Sequence, residues 1–191
     1  MNFLVFIVCL VFSYLLGSIQ GSYISSRYIY NDKKVVSEWQ EYKTIHTFNK
    51  ERISVIIIDG VKIFIPTLFL FLSAPLFSLE PRFAALLGGG SATLGHMYPF
   101  FRLGKGEAME AFMITALFVS FPSALISILI FCALFVVFGR KTIPFVVSVF
   151  AFPVVLIIFF RPTFEVGILS ILYSILIFWR QKKAVNTFLS E

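Results

Sequence analysis

Residues 95–106 read Gly-His-Met-Tyr-Pro-Phe-Phe-Arg-Leu-Gly-Lys-Gly and close an apolar stretch. Glycine lets backbone N–H groups approach an anion closely, and lysine supplies a positive charge. His96, Lys105, Gly104 and Gly106 at the end of a hydrophobic segment therefore suit a phosphorylated substrate. A second pair, Asp59 and Lys62, stands inside the preceding apolar run. Three residues apart on a helix, the two share a face, about 10–15 Å in from Ile53 at the helical rise. A charge at that depth is costly and faces either a polar cavity or a partner. An internal ion pair and a ligand-facing pair both fit this spacing. For His96 the alternatives are a hydrogen-bonded core histidine and a phosphate-facing or loop-ordering one.

Something hydrophobic must position these groups. The chain has 191 residues, of which 59% are hydrophobic and 14% charged, with mean hydropathy +0.92. A soluble domain of this size could not hide that much apolar surface, so the composition is that of an integral membrane protein. Nucleic-acid binding is excluded with the other water-soluble classes, despite the net charge of +6. The basic excess fits loops flanking membrane spans on the cytosolic side. Cys9 and Cys132 both sit in apolar runs and read as packed thiols. Two histidines and two cysteines lie scattered without ligand spacing, so no metal is expected.

Residues 1–26 carry no Lys or Arg, unlike the basic start of a secretory signal, and residues 3–24 read as a retained first span. A charged segment, 27–52, follows. Further apolar stretches cover 53–79, 83–101, 111–138, 143–160 and 166–179. The run 111–138 is interrupted at Ser120-Phe121-Pro122-Ser123. Read as one span it gives six, and the basic tail after Arg180 falls outside. Read as two it gives seven, and the basic segments 27–52, 102–110, 140–141 and the tail all fall inside, as charge bias requires. Each half is then short against the roughly 17–25 residues of a full span. The expectation is an all-α polytopic protein of about seven transmembrane helices, N-terminus outside and C-terminus inside, forming one domain over 1–191. Gly88-Gly89-Gly90-Ser91 reads as close helix packing rather than a phosphate loop.

The motifs resemble those of the acyl-phosphate:glycerol-3-phosphate acyltransferase (PlsY) family. Gly95, His96, Pro99 and Phe101 match its G-H-x-x-P-x-F, and Lys105-Gly106 match the first K-G of its F-K-G-G-K. Asp59, Lys62 and Pro66 stand at the spacing of its D-x-x-K-G-x-x-P, with Ile63 in place of the glycine. Tyr14-Leu15-Leu16-Gly17-Ser18-Ile19 matches its first helix. The resemblance implies acyl transfer from acyl phosphate, as donor substrate without further cofactor, to glycerol 3-phosphate or a related acceptor in phospholipid synthesis. It implies a multi-pass protein of the inner (plasma) membrane, with membrane lipids and a phosphorylated or acylated small molecule as partners. It also implies His96 and Lys105 as catalytic groups, and Asp59, Lys62, Gly104, Gly106 and Ser37 as substrate-binding ones.

Departures from the pattern cluster at the charged segments. Where the family has a glycine-rich G-S-G-N-x-G-A-T-N loop, this chain has Ser37-Glu38-Trp39-Gln40-Glu41-Tyr42-Lys43-Thr44, without glycine and with two carboxylates. The second G-K becomes Glu107 and Ala108, and the family's terminal His and Asn become Gln181 and Ala184. Losing preorganised anion donors, each worth a few kcal/mol of transition-state stabilisation, points to reduced or changed activity. The alternative is a non-catalytic relative that binds lipid or a membrane-protein partner. A transporter built on Asp59–Lys62 lacks the inverted repeat expected of one.

Overall fold

The computed structural model describes residues 2–25, 28, 50–100, 108–139 and 142–189, and the regular structure among them is helical. Asn2–Ser18 (α1) and the single turn Gly21–Ile24 (α2) come first. Lys50–Ser73 (α3) runs on into a 3-10 turn, Ala74–Phe77. Then follow Pro81–Met97 (α4), Ala108–Val119 (α5), Phe121–Phe138 (α6), Thr142–Phe160 (α7) and Phe164–Leu189 (α8). Four stretches among the described residues are long and apolar enough to cross a membrane: Ile53–Phe77, Phe121–Phe138, Thr142–Phe160 and Phe164–Lys182. Phe3–Ser18 is a shorter apolar helix.

Local chemistry sets most boundaries. The apolar run 111–138 is divided at Ser120, an extended residue whose side chain accepts a bond from the Ser123 N–H, with Pro122 in the first turn of α6. Proline is tolerated there because its missing N–H would have had no partner anyway. Gly139, at φ 64°, closes α6 in the left-handed conformation that glycine adopts without strain. The first apolar stretch differs from expectation. It is not one span over 3–24, because α1 stops at Ser18 and Gln20 is extended (φ −86°, ψ 123°) before α2 begins.

The shortest-spaced packing surrounds α4, which touches α1, α3, α5 and α8. A Cβ on Gly17 would stand 2.0 Å from the Ala92 carbonyl oxygen, and one on Gly95 2.0 Å from that of Tyr14. The α1 and α4 backbones are therefore in direct contact, as small residues permit within membranes. Gly88 faces Leu70 and the Pro66 carbonyl, and Gly89 faces Thr115 and Thr67. Gly88 and Gly89 are thus a packing surface for α3 and α5, and Gly90 borders Tyr173 of α8 at 3.9 Å, as the sequence suggested. On the other side, Phe112, Phe145, Phe152, Val149, Leu156 and Ile177 form the main apolar core. The outward residues of α1 and α6, such as Phe3, Leu4, Val136 and Val137, are exposed and suit contact with lipid.

Candidate functional site

Asp59, Lys62 and His96 come together where α1 breaks. Asp59 and Lys62 lie one helical turn apart on α3, and Lys62 Nζ is 2.6 Å from Asp59 Oδ1. His96, in the last turn of α4, places Nδ1 3.9 Å from the same oxygen. Lys62 and His96 are buried, at 8% and 1% exposure, so these charges and dipoles act with little screening by water.

The pair also reaches the backbone of the break. Lys62 Nζ donates to the Ile19 carbonyl at 2.5 Å. The Gly21 N–H donates to Asp59 Oδ1 at 3.0 Å. Gln20 Nε2 donates to the His96 carbonyl at 3.4 Å, and Ser25 and Ser54 hydroxyls meet at 2.6 Å just beyond. Physically, a broken helix exposes carbonyls at one end and N–H groups at the other. Here an ammonium meets the first and a carboxylate the second. Pro66, one turn beyond Lys62, can give no backbone bond inside α3.

Two more contacts frame this end of the bundle. Tyr14 donates its hydroxyl to the Tyr98 carbonyl at 2.8 Å. The Arg180 guanidinium, on α8, lies 5.8 Å from the centre of the Tyr98 ring. The residues after His96 therefore depart from a corner formed by α1, α4 and α8. Lys105, Gly104, Gly106 and Ser37, expected to join the site, lie outside the described residues. Among the described residues, no group of His, Cys, Asp and Glu side chains is arranged to hold a metal ion. Cys9 and Cys132 are free thiols, but only Cys9 is partly packed, and Cys132 lies exposed on the outer side of α6 rather than packed as expected.

Sequence reasoning missed a buried polar cluster deeper in the bundle. Tyr173 Oη, on α8, lies 2.8 Å from Thr93 Oγ1 on α4 and 3.3 Å from Thr115 Oγ1 on α5. Thr93 and Thr115 themselves donate to the Gly89 and Ala111 carbonyls. A lone tyrosine in an apolar helix gives no local signal of such a role. The only hint was that the polar tip of a buried tyrosine needs a partner.

Comparison with known proteins bears on the whole arrangement. The sequence matches a protein-family description, Glycerol-3-phosphate acyltransferase, over residues 7–191. No curated protein matches it significantly. Among solved structures it resembles crystal structures of PlsY (YgiH), an integral membrane glycerol 3-phosphate acyltransferase. The glycerol 3-phosphate form aligns with TM-score 0.73 at 21% identity, covering 97% of this chain and 92% of that one. The lysophosphatidic acid form aligns with TM-score 0.74 at the same identity and coverage. At that identity the likeness establishes the fold.

Proposed function

The chain belongs to the glycerol-3-phosphate acyltransferase family, matching it over residues 7–191, and on that premise we propose that it transfers an acyl group from acyl phosphate to glycerol 3-phosphate or a related acceptor, at a reduced rate or with a changed acceptor. The family match over nearly the whole chain carries this reading. In the reaction an acceptor hydroxyl attacks the acyl carbonyl, the new ester C–O bond forms, and the bond to phosphate breaks. Phosphate leaves and takes up the hydroxyl proton. The donor is already activated and no further cofactor is invoked, so the protein has mainly to hold two anions side by side and orient the attack. His96 and Lys105 are assigned to the reacting groups, and Gly104, Gly106 and Ser37 to substrate phosphate, on the motif match; of these, His96 lies beside Asp59. The reduced rate follows from the replacements at 37–44, 107–108, 181 and 184.

The proposal places the whole chain in one domain of the inner membrane. It takes seven spans, N-terminus outside and C-terminus inside, supported by the basic residues of 27–52, 102–110 and the tail. Cysteines placed at residues 46 and 187 are expected to react from the same side of the membrane, and labelling from opposite sides would refute that topology. A second reading, a non-catalytic relative binding lipid or a membrane-protein partner, is favoured by one observation: Glu38 and Glu41 stand where anion donors would be needed. Lysophosphatidate formation by purified protein decides between them. Turnover below about 1 s⁻¹, the low end of ordinary enzyme rates, is expected. No turnover with any acceptor supports the second reading, and a rate well above that limit contradicts the proposed impairment.

A further inference from the structure

We propose that Asp59 and Lys62 are positioning residues: the ion pair splints the break between α1 and α2, holding α2 against α3 and the end of α4, rather than receiving substrate phosphate. Two separate observations support this. First, each charged group is matched to the backbone dipole of the break that suits it. Lys62 meets the Ile19 carbonyl and Asp59 meets the Gly21 N–H. A broken helix end left without partners at this depth would be costly. Second, the residue at 21 leaves room for the carboxylate and for nothing else. A Cβ there would lie 2.7 Å from Asp59 Oδ1, 2.9 Å from its Cγ and 3.0 Å from the Val55 carbonyl oxygen. The one donor that Gly21 offers, its N–H, is already given to Asp59 Oδ1, so the fit speaks for a contact within the protein.

The splint accounts for what lies around it. Gln20 is held extended, where its side chain reaches the His96 carbonyl. Ser25 is fully buried against Ser54. The turn α2 is thus registered to the end of α4 through Gln20 and to α3 through Asp59 and Ser54.

The test uses the full-length protein with Cys9→Ser and Cys132→Ser, and Ser25→Cys as reporter, reacted with N-ethylmaleimide. In the parent the thiol at 25 is expected to be protected. Gly21→Ala and Lys62→Met are each expected to raise its reaction rate about tenfold by favouring local opening of α2. Phe152→Leu, which loosens the other half of the bundle, is expected to leave it unchanged. The double variant Asp59→Asn/Lys62→Met is expected to be less reactive than Lys62→Met, because an unpaired buried charge costs more than a missing pair, yet clearly more reactive than the parent, because the Ile19 carbonyl has lost its donor. Unchanged labelling in both single variants, or a double variant as protected as the parent, overturns the assignment. If a single variant does not fold, recovery of folded protein in the double supports the splint and failure to recover refutes it. Thermal stabilisation by glycerol 3-phosphate separates the ligand role. If the parent is stabilised and the double variant is not, while its reporter stays protected, Lys62 holds the phosphate and the splint is refuted. If the parent itself is not stabilised, the proposed substrate fails while the labelling result still decides the splint.

Discussion

Around α1, α3 and α4 the helices meet backbone to backbone, whereas α5, α7 and α8 meet through rings. In the first region Gly17, Gly21, Gly88, Gly89 and Gly95 leave no room for a Cβ. In the second, Phe112 lies 5.7 Å from Phe152 and 6.3 Å from Phe145 edge to face, and 5.9 Å from Tyr173 stacked. The buried Lys62 and the half-buried Asp59 belong to the first region, and the difference explains why. Close backbone approach brings carbonyls and N–H groups within reach of a neighbouring helix, so a charge there finds partners such as Ile19 and Gly21. Rings that keep backbones apart offer a charge no backbone partner. The glycine-packed half should therefore resist any gain of volume, and the ring-packed half any loss.

The largest effect is expected from Gly95→Val. Its Cβ would sit 2.0 Å from the Tyr14 carbonyl oxygen and 2.9 Å from the Ser18 nitrogen. Neither backbone can yield without parting α1 from α4, so a loss of at least about 3 kcal/mol is expected, read as failure to recover folded protein from membranes. Phe152→Ala should cost about 2–3 kcal/mol by leaving a cavity, toward the lower end for such a truncation because the lipid reference state is itself apolar. A smaller loss there than for a glycine variant of equal volume change would sharpen the contrast, and a negligible one would break it. Tyr173→Phe removes the hydroxyl between Thr93 and Thr115 and should cost about 0.5–1.5 kcal/mol in thermal unfolding. The smallest change is expected from Gly60→Ala. Its Cβ meets only Ile114 Cδ1, at 3.5 Å, so the substitution should stabilise α3 by up to about 1 kcal/mol. A destabilising Gly60→Ala would show that the tight packing extends farther along α3 than the first region defined above.

What the sequence disclosed follows the same division. The break at Ser120 could be read because its cause is local, a capping serine two residues before a proline. The Gly88–Gly90 packing surface was legible for the same reason. The break at Ser18–Gly21 was not, because nothing in Ser18-Ile19-Gln20-Gly21 forbids a helix. Its partners, Asp59 and Lys62, lie some forty residues away, and only folding brings them to it. The spacing of Asp59 and Lys62 announced a shared face and left open what they would meet. Tyr173 stayed hidden because its partners sit on two other helices. The helix ends fared least well: α4 stops at Met97 rather than near Phe101, and α8 runs on through the basic residues to Leu189.

The contacts between α4 and α8 have a mechanical consequence. The chain ahead of the two helices is joined by a Thr163–Glu80 hydrogen bond. Farther along, the helices are joined through Thr93 and Tyr173, and then by Arg180, within α8, over Tyr98 at the end of α4. These three ties follow one another in the same order along both helices, so α4 and α8 run parallel and are pinned over about 26 Å of rise. Neither can piston past the other by a helical turn without breaking all three at once. Any opening of the corner near His96 must then come from α1 or α3 moving against these two tied helices.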